Sequence, residues 1–113
     1  MAPPAAPSAP AAHQTNAAVI AYLARQARAA RNDLQVAQEQ YARRSIALFE
    51  TLRVVDATLA ELSVHVLGND VIAAAWFTSR NLHFAQRAPL EVLVVGDRQM
   101  VVNELLRLEH GAY

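Results

Sequence analysis

The chain has 113 residues, enough for one small domain, and its ten arginines balance ten acidic residues to give zero formal net charge. Hydrophobic residues make up 54% of it, but 24 residues are alanine, so the core-forming bulk is smaller than that figure suggests. There is no cysteine, which excludes disulfides and thiolate chemistry. The start lacks the features of a signal peptide, and apolar runs such as Val71–Phe77 are too short to span a membrane. We therefore expect a soluble cytoplasmic protein.

The first fifteen residues are rich in proline and alanine. They contain all but one of the five prolines, and proline fixes φ and lacks an amide donor. Residues 1–15 are therefore predicted to form a disordered arm. Asn16 can then cap the first helix.

Residues 17–67 contain neither proline nor glycine, which predicts a helix broken at most once. Apolar or small residues recur at alternating steps of three and four through Ile20, Leu23, Ala27, Ala30, Leu34, Ala37 and Tyr41. A second stripe of the same kind follows at Leu48, Leu52, Val55, Leu59, Leu62 and Val66. The two stripes join through Ser45 with a change of phase. Alternatively, Asn32-Asp33 ends one helix and caps another.

The last part of the chain has clear helix boundaries. Gly68 suits the end of a helix, and Asn69 or Asp70 the cap of a short helix running to about Phe77. Thr78–Ala88 is predicted to be a loop anchored by Phe84. Pro89 opens a helix that ends before Gly96, and Asp97 caps the last helix, which buries Val101, Leu105 and Leu108 before Gly111 ends it.

No strand pattern occurs, so the predicted fold is all-α, with a long N-terminal helix or helix pair followed by a compact bundle of short helices. The predicted organisation is a disordered arm at 1–15, an N-terminal helical region at 16–47 and a helical domain at 48–113.

Few side chains indicate a catalytic, metal-binding or cofactor-binding site. The four histidines are not at metal-ligand spacing, and no nucleophile, phosphate-loop or nucleotide motif is present. We therefore expect no catalytic residue, no metal and no cofactor. Trp76, the one tryptophan, is interpreted as a core anchor, with a partner-facing role as the alternative. His65 is interpreted as structural, and His110 either assists the helix C-terminus or contacts a partner.

Residues 1–55 carry six arginines against three acidic residues, a net charge of +3. Five of these arginines are candidate phosphate contacts: Arg25, Arg28, Arg31, Arg43 and Arg44. A solvated helix face with Asp33 and Glu39 nearby explains them equally well. A helix-turn-helix needs a tight turn, and residues 17–67 supply no glycine for one.

The most specific pattern begins at Trp76. It comprises Trp76, Asn81, Pro89, Leu90, Leu93, Gly96, Leu106, His110, Gly111 and Tyr113. A tryptophan helix, an asparagine loop, a Pro-Leu-x-x-Leu helix and a Gly-x-aromatic ending in this order resemble the C-terminal toxin-binding domain of Xre/MbcA/ParS-type antitoxins. The resemblance covers about Leu48–Tyr113.

The resemblance implies an antitoxin that neutralises a RES-domain toxin, an enzyme that destroys NAD or transfers from it. In the family, the final helix and tail enter the NAD pocket of the toxin and block it. By position, that role falls on Arg107, His110, Gly111, Ala112 and Tyr113. Gly111 would free the tail to leave the helix axis.

The chain departs from the family in two places. The loop commonly has a proline before its asparagine and glycines after it, where this chain has Arg80, Ala85, Gln86 and Arg87. Many members also begin with a helix-turn-helix, where this chain has a long helix. The function expected is therefore toxin neutralisation by a non-enzyme, with homodimerisation through the small-residue stripe of the N-terminal helix as a further possibility. The alternatives are a DNA-binding regulator that uses the five arginines and a helical self-association module.

Overall fold

The computed structural model describes the backbone of residues 12–111 and the side chains of residues 15–111. Five α-helices follow one another: α1 (Ala12–Val55), α2 (Ala57–Leu67), α3 (Asp70–Thr78), α4 (Pro89–Val94) and α5 (Arg98–Glu109). A 3-10 turn at Leu82–Phe84 lies between α3 and α4. Within the described residues there are no strands, and the one β-type contact is an isolated bridge between Asn81 and Arg87. The predicted all-α class is confirmed.

Helix α1 starts earlier than the sequence pattern indicated and is not interrupted. It begins at Ala12, so the prediction that Asn16 caps it is wrong, and residues 12–15 belong to the helix rather than to the predicted arm. The helix-favouring Ala12 and Gln14, with no proline after Pro10, explain the earlier start. The remainder of the arm, residues 1–11, lies outside the described residues. The alternative break at Asn32-Asp33 is also wrong, because α1 passes through both residues.

The break in the long apolar pattern lies at Asp56. Its φ of −144° interrupts the helix, and its carboxylate accepts a hydrogen bond from the Leu59 amide at 3.2 Å. A short polar side chain can offer the backbone this alternative to helical bonding. The expectation of at most one break before Leu67 is therefore confirmed, and the break falls late in the segment.

Among the described residues, 39–111 form a compact unit that is distinct from residues 12–38. Its core consists of Phe49, Leu59, Ala60, Ala73, Ala74, Phe77, Phe84, Val92, Val101 and Leu105. The predicted organisation at 16–47 and 48–113 stays a prediction, and α1 crosses residue 48 without interruption. Ser45, where the two stripes join, is buried in this unit, with its hydroxyl 3.0 Å from that of Thr78.

The most deeply buried aromatic rings of the core are those of Phe49 and Phe77, not that of Trp76. Phe77 is 1% exposed, whereas Trp76 is only partly buried and packs against the outside of the core. Its ring meets those of Phe77 and Phe84 edge-on, at centroid distances of 5.0 Å and 6.3 Å. The interpretation of Trp76 as a core anchor is therefore confirmed in part: its ring packs against the core, but the fully buried ring of α3 is that of Phe77, one position further along.

The predicted helix boundaries after residue 67 are confirmed. Asn69 and Asp97 cap α3 and α5 through their side chains, and Pro89 is the first residue of α4. Gly68 and Gly96 have φ values of 112° and 86°, which are accessible to glycine without strain. Among the described residues, no helix combines the length and apolarity needed to cross a membrane.

Candidate functional site

Helices α2 and α5 pack side by side and are tied at both ends. At one end, the Arg98 guanidinium donates two hydrogen bonds to Asp56, at 2.6 Å and 3.1 Å. At the other end, His65 Nε2 lies 2.9 Å from a carboxylate oxygen of Glu109. The starts of the two helices are thus paired with each other, as are their ends, so α2 and α5 run in the same direction. These contacts place the C-terminal end of α5 beside the C-terminal end of α2.

An internal ion pair supports the last turns of α5. Arg107 donates two hydrogen bonds to Glu104, at 3.0 Å and 2.7 Å, and only 8% of the Glu104 side chain is exposed. The Arg107 guanidinium holds the pKa of Glu104 below its ordinary value, against the opposing effect of burial. Arg107, a predicted toxin contact, is therefore also a structural partner of a nearly buried carboxylate.

The end of α5 is exposed. The amide of His110 donates to the Leu106 carbonyl and that of Gly111 to the Leu108 carbonyl, each at 3.1 Å. Gly111 has a φ of 74°, so the chain turns away from the helical path at this residue. The structure thus places His110 and Gly111 together on the surface. Ala112 and Tyr113, the other two predicted contacts in the tail, lie outside the described residues.

One line of exposed residues leads along α5 to this end. Gln99, Asn103, Leu106 and His110 are separated by steps of four and three, so they share one helix face. Leu106 gives this otherwise polar face an apolar centre. Val101 and Leu105 are buried on the opposite side, as predicted, and Leu108 is partly buried.

The asparagine of the loop is a structural residue. The Asn81 carbonyl accepts hydrogen bonds from the amides of Phe84 and Gln86, while its side chain accepts one from His83 at 2.8 Å. Ala85 and Gln86 then adopt positive φ values of 57° and 69°. Left-handed backbone costs an L-residue about 1–2 kcal/mol. Ala85 and Gln86, two of the loop residues at which the sequence departs from the pattern it resembles, therefore lie at strained positions.

An apolar groove, which the sequence analysis did not predict, opens near the start of α5. It has a volume of about 480 Å³ and lies between the end of α1 and α4, with the Asp56–Arg98 pair at its rim. Its apolar lining consists of Leu48, Leu52, Val55, Leu90, Leu93 and Val94. The signal in the sequence was a surplus of apolar residues around Val54–Val55 and Val94–Val95, all of them exposed.

The five arginines that the sequence suggested as phosphate contacts are all exposed on α1: Arg25, Arg28, Arg31, Arg43 and Arg44. Within residues 15–111, none of the five forms an ion pair with a carboxylate, so Asp33 and Glu39 do not neutralise them through direct contact. Across the same residues, no cluster of three or more His, Asp or Glu side chains could hold a metal ion.

Comparison with known families bears directly on the second half of the chain. Residues 63–111 match the family model of the antitoxin Xre/MbcA/ParS C-terminal toxin-binding domain. The resemblance is confirmed over this segment. The match begins within α2, so it is shorter than the span predicted from the residues, and α1 lies outside it. No curated protein and no solved structure shows significant similarity to the chain.

The matched segment contains both structural and exposed residues of the pattern that begins at Trp76. Asn81, Pro89 and Gly96 shape the loop and helix boundaries, while Leu106, His110 and Gly111 are exposed at the end of α5. The match supports an antitoxin role for the chain.

Proposed function

We propose that the chain is the antitoxin of a RES-domain toxin and that it blocks the NAD pocket of that toxin with its C-terminal tail. The observation that carries this proposal is the exposed end of α5, which falls inside the segment that matches the toxin-binding family. The ion pair between Glu104 and Arg107 stabilises the last turns of α5. The residues that follow can therefore contact a partner without disturbing the core.

In the proposed blockade, Tyr113 acts as an aromatic anchor in the NAD pocket of the toxin. Tyr113 combines a flat apolar ring with a polar tip, which suits a pocket that accepts a nicotinamide or a ribose. Gly111 turns the chain off the helix axis, and in this proposal His110 and Arg107 contact the rim of the pocket. Aromatic anchors commonly contribute a large part of the binding energy of an interface.

Deletion of Gly111–Tyr113 tests the proposal directly. The cognate toxin is sought in the neighbouring reading frame and co-expressed with the full-length or truncated chain, while growth and cellular NAD are measured. We expect the truncated chain to melt normally but to bind the toxin about thirtyfold more weakly, since losing one central anchor costs about 2 kcal/mol.

Gln99→Ala provides the matched control. Gln99 is exposed on the same face of α5, but at the other end of the helix. We expect this variant to neutralise the toxin as the wild type does. Full growth and preserved NAD with the truncated chain would contradict the tail blockade. Failure of the intact chain to bind a RES-domain toxin would contradict the choice of partner.

A DNA-binding role is a second candidate, favoured by the exposed arginines of α1 that lack ion-pair partners. Replacing Arg25, Arg28 and Arg31 with alanine would weaken binding to the upstream DNA and flatten its dependence on salt, because fewer counterions are released. Toxin neutralisation would be unchanged. A gel-shift titration at several salt concentrations measures both effects, and tight binding that survives the triple substitution would contradict this surface.

A further inference from the structure

The exposed N-terminal part of α1 carries an apolar stripe that no described residue covers. Every residue from Asn16 to Gln38 is exposed. Ile20, Leu23 and Leu34 are 64%, 56% and 57% exposed. They nevertheless lie on one helix face, at the a and d positions of a seven-residue repeat, which are the positions that pack against the partner helix in a coiled coil. We propose that this stripe is the seam of an antiparallel helix pair formed with a second copy of the chain.

The spacing of the stripe is self-complementary, which favours a second copy over an unrelated partner. In one antiparallel register, Ile20 faces Ala37 of the second copy, Leu23 faces Leu34, and Ala27 faces Ala30. Each contact then occurs twice around a two-fold axis, as a symmetric dimer requires. The alanines at the centre allow the helices to approach closely, while the two leucine layers on either side fill the space between them.

Charge placement supports the same register. Gln26 lies beside Asp33 of the second copy and Ala24 beside Arg31, so no like charges meet. A shift by one heptad toward the C-terminal end of the stripe would place Arg31 against Arg31 and Asp33 against Asp33, which is unfavourable. Arg25, Arg28 and Arg43 lie on the helix face away from the seam, where they stay solvated.

Tyr41 distinguishes the antiparallel pair from a parallel one. A parallel pair would place the two Tyr41 side chains opposite each other in the seam. In this chain, however, the Tyr41 hydroxyl lies 2.6 Å from Thr78 Oγ1 and 3.1 Å from Ser79 Oγ. The antiparallel register instead places Tyr41 opposite Asn16 of the second copy, beyond the last apolar layer, so these hydrogen bonds are retained.

Sedimentation equilibrium of the full chain over a wide concentration range tests the proposal. We expect the mass to rise reversibly from 12.3 kDa toward twice that value. Leu34→Glu places two charges in the seam and should raise the dimer dissociation constant by at least about tenfold. Val36→Glu is the matched control, because Val36 is 51% exposed but lies off the stripe; it should leave the constant unchanged.

Cysteine cross-linking tests the direction, since the natural chain contains no cysteine. A mixture of Ile20→Cys and Ala37→Cys chains should oxidise to the mixed disulfide. Neither variant alone should form one, because equal positions lie about 25 Å apart in the antiparallel register and a disulfide needs Cα atoms within about 7 Å. Ready cross-linking of Ile20→Cys alone would overturn the antiparallel arrangement.

The outcomes are independent of the toxin proposal. A chain that stays monomeric at every concentration, equal weakening by Leu34→Glu and Val36→Glu, or association that requires the toxin would each overturn the proposed homodimer. None of these results would affect the C-terminal tail blockade.

Discussion

The helix over residues 16–38 and the compact unit over residues 39–111 have similar local character but are stabilised in different ways. Both are helical throughout most of their length, and both carry apolar residues at helical spacing. In the compact unit those residues cover one another, whereas in the N-terminal segment they face solvent. Regular amphipathic spacing thus predicts a helix reliably, but it does not say which molecule covers the apolar face.

The largest effect on stability should be the difference between alanine substitutions of apolar residues in the two regions. Phe77→Ala removes a 1% exposed ring, so we expect a loss of about 3–5 kcal/mol in the free energy of unfolding. Leu23→Ala, at a half-exposed site of α1, should change that free energy by less than about 0.5 kcal/mol at dilutions where the chain is monomeric. Urea denaturation measures both. Trp76→Ala should fall between them, because its ring is only partly buried, and a loss equal to that of Phe77→Ala would contradict this ranking.

A smaller effect should come from the ion pair at the end of α5. Arg107→Ala leaves the nearly buried Glu104 carboxylate without its guanidinium, and we expect a loss of about 1–3 kcal/mol at neutral pH. The folded-state pKa of Glu104 is lowered, so the stabilisation is complete above its unfolded pKa and is lost as the pH falls through the folded-state value.

Glu104→Gln checks the sign of this pH dependence. The difference in unfolding free energy between the wild type and this variant should be largest near neutral pH and should narrow in acid, below the ordinary glutamate pKa of 4.5. Thermal melts across this range measure it. A difference that widens in acid would contradict the assigned role of Arg107.

The smallest effect should be a gain in stability. Ala85 and Gln86 have positive φ values, so Ala85→Gly and Gln86→Gly should each raise the free energy of unfolding by about 0.5–1 kcal/mol through relief of backbone strain. Ala29→Gly, inside α1, is the control and should reduce the helicity of that segment measured by circular dichroism. Destabilisation by Ala85→Gly would show that its methyl group contributes more than the strain costs.

Several features of the compact unit were predictable because they depend on neighbouring residues. Asn69, Pro89, Gly96 and Asp97 mark helix boundaries through capping and backbone geometry. The exposed ending at His110-Gly111 follows from the same local rules. The choice of Phe77 over Trp76 as the buried ring did not follow, since adjacent helical positions differ by about 100° and only the neighbours of α3 decide which one points inward.

The sequence by itself determined that the chain is helical, where its late helices begin and end, and that its second half resembles a toxin-binding domain. These properties arise from residues within a few positions of each other, or from their order along the chain. The tertiary structure alone decided that Arg98 binds Asp56, that Glu104 is nearly buried, and that a groove opens beside α4. Each of these depends on contacts between surfaces brought together by folding, and the spacing of residues within one helix does not specify which surfaces meet.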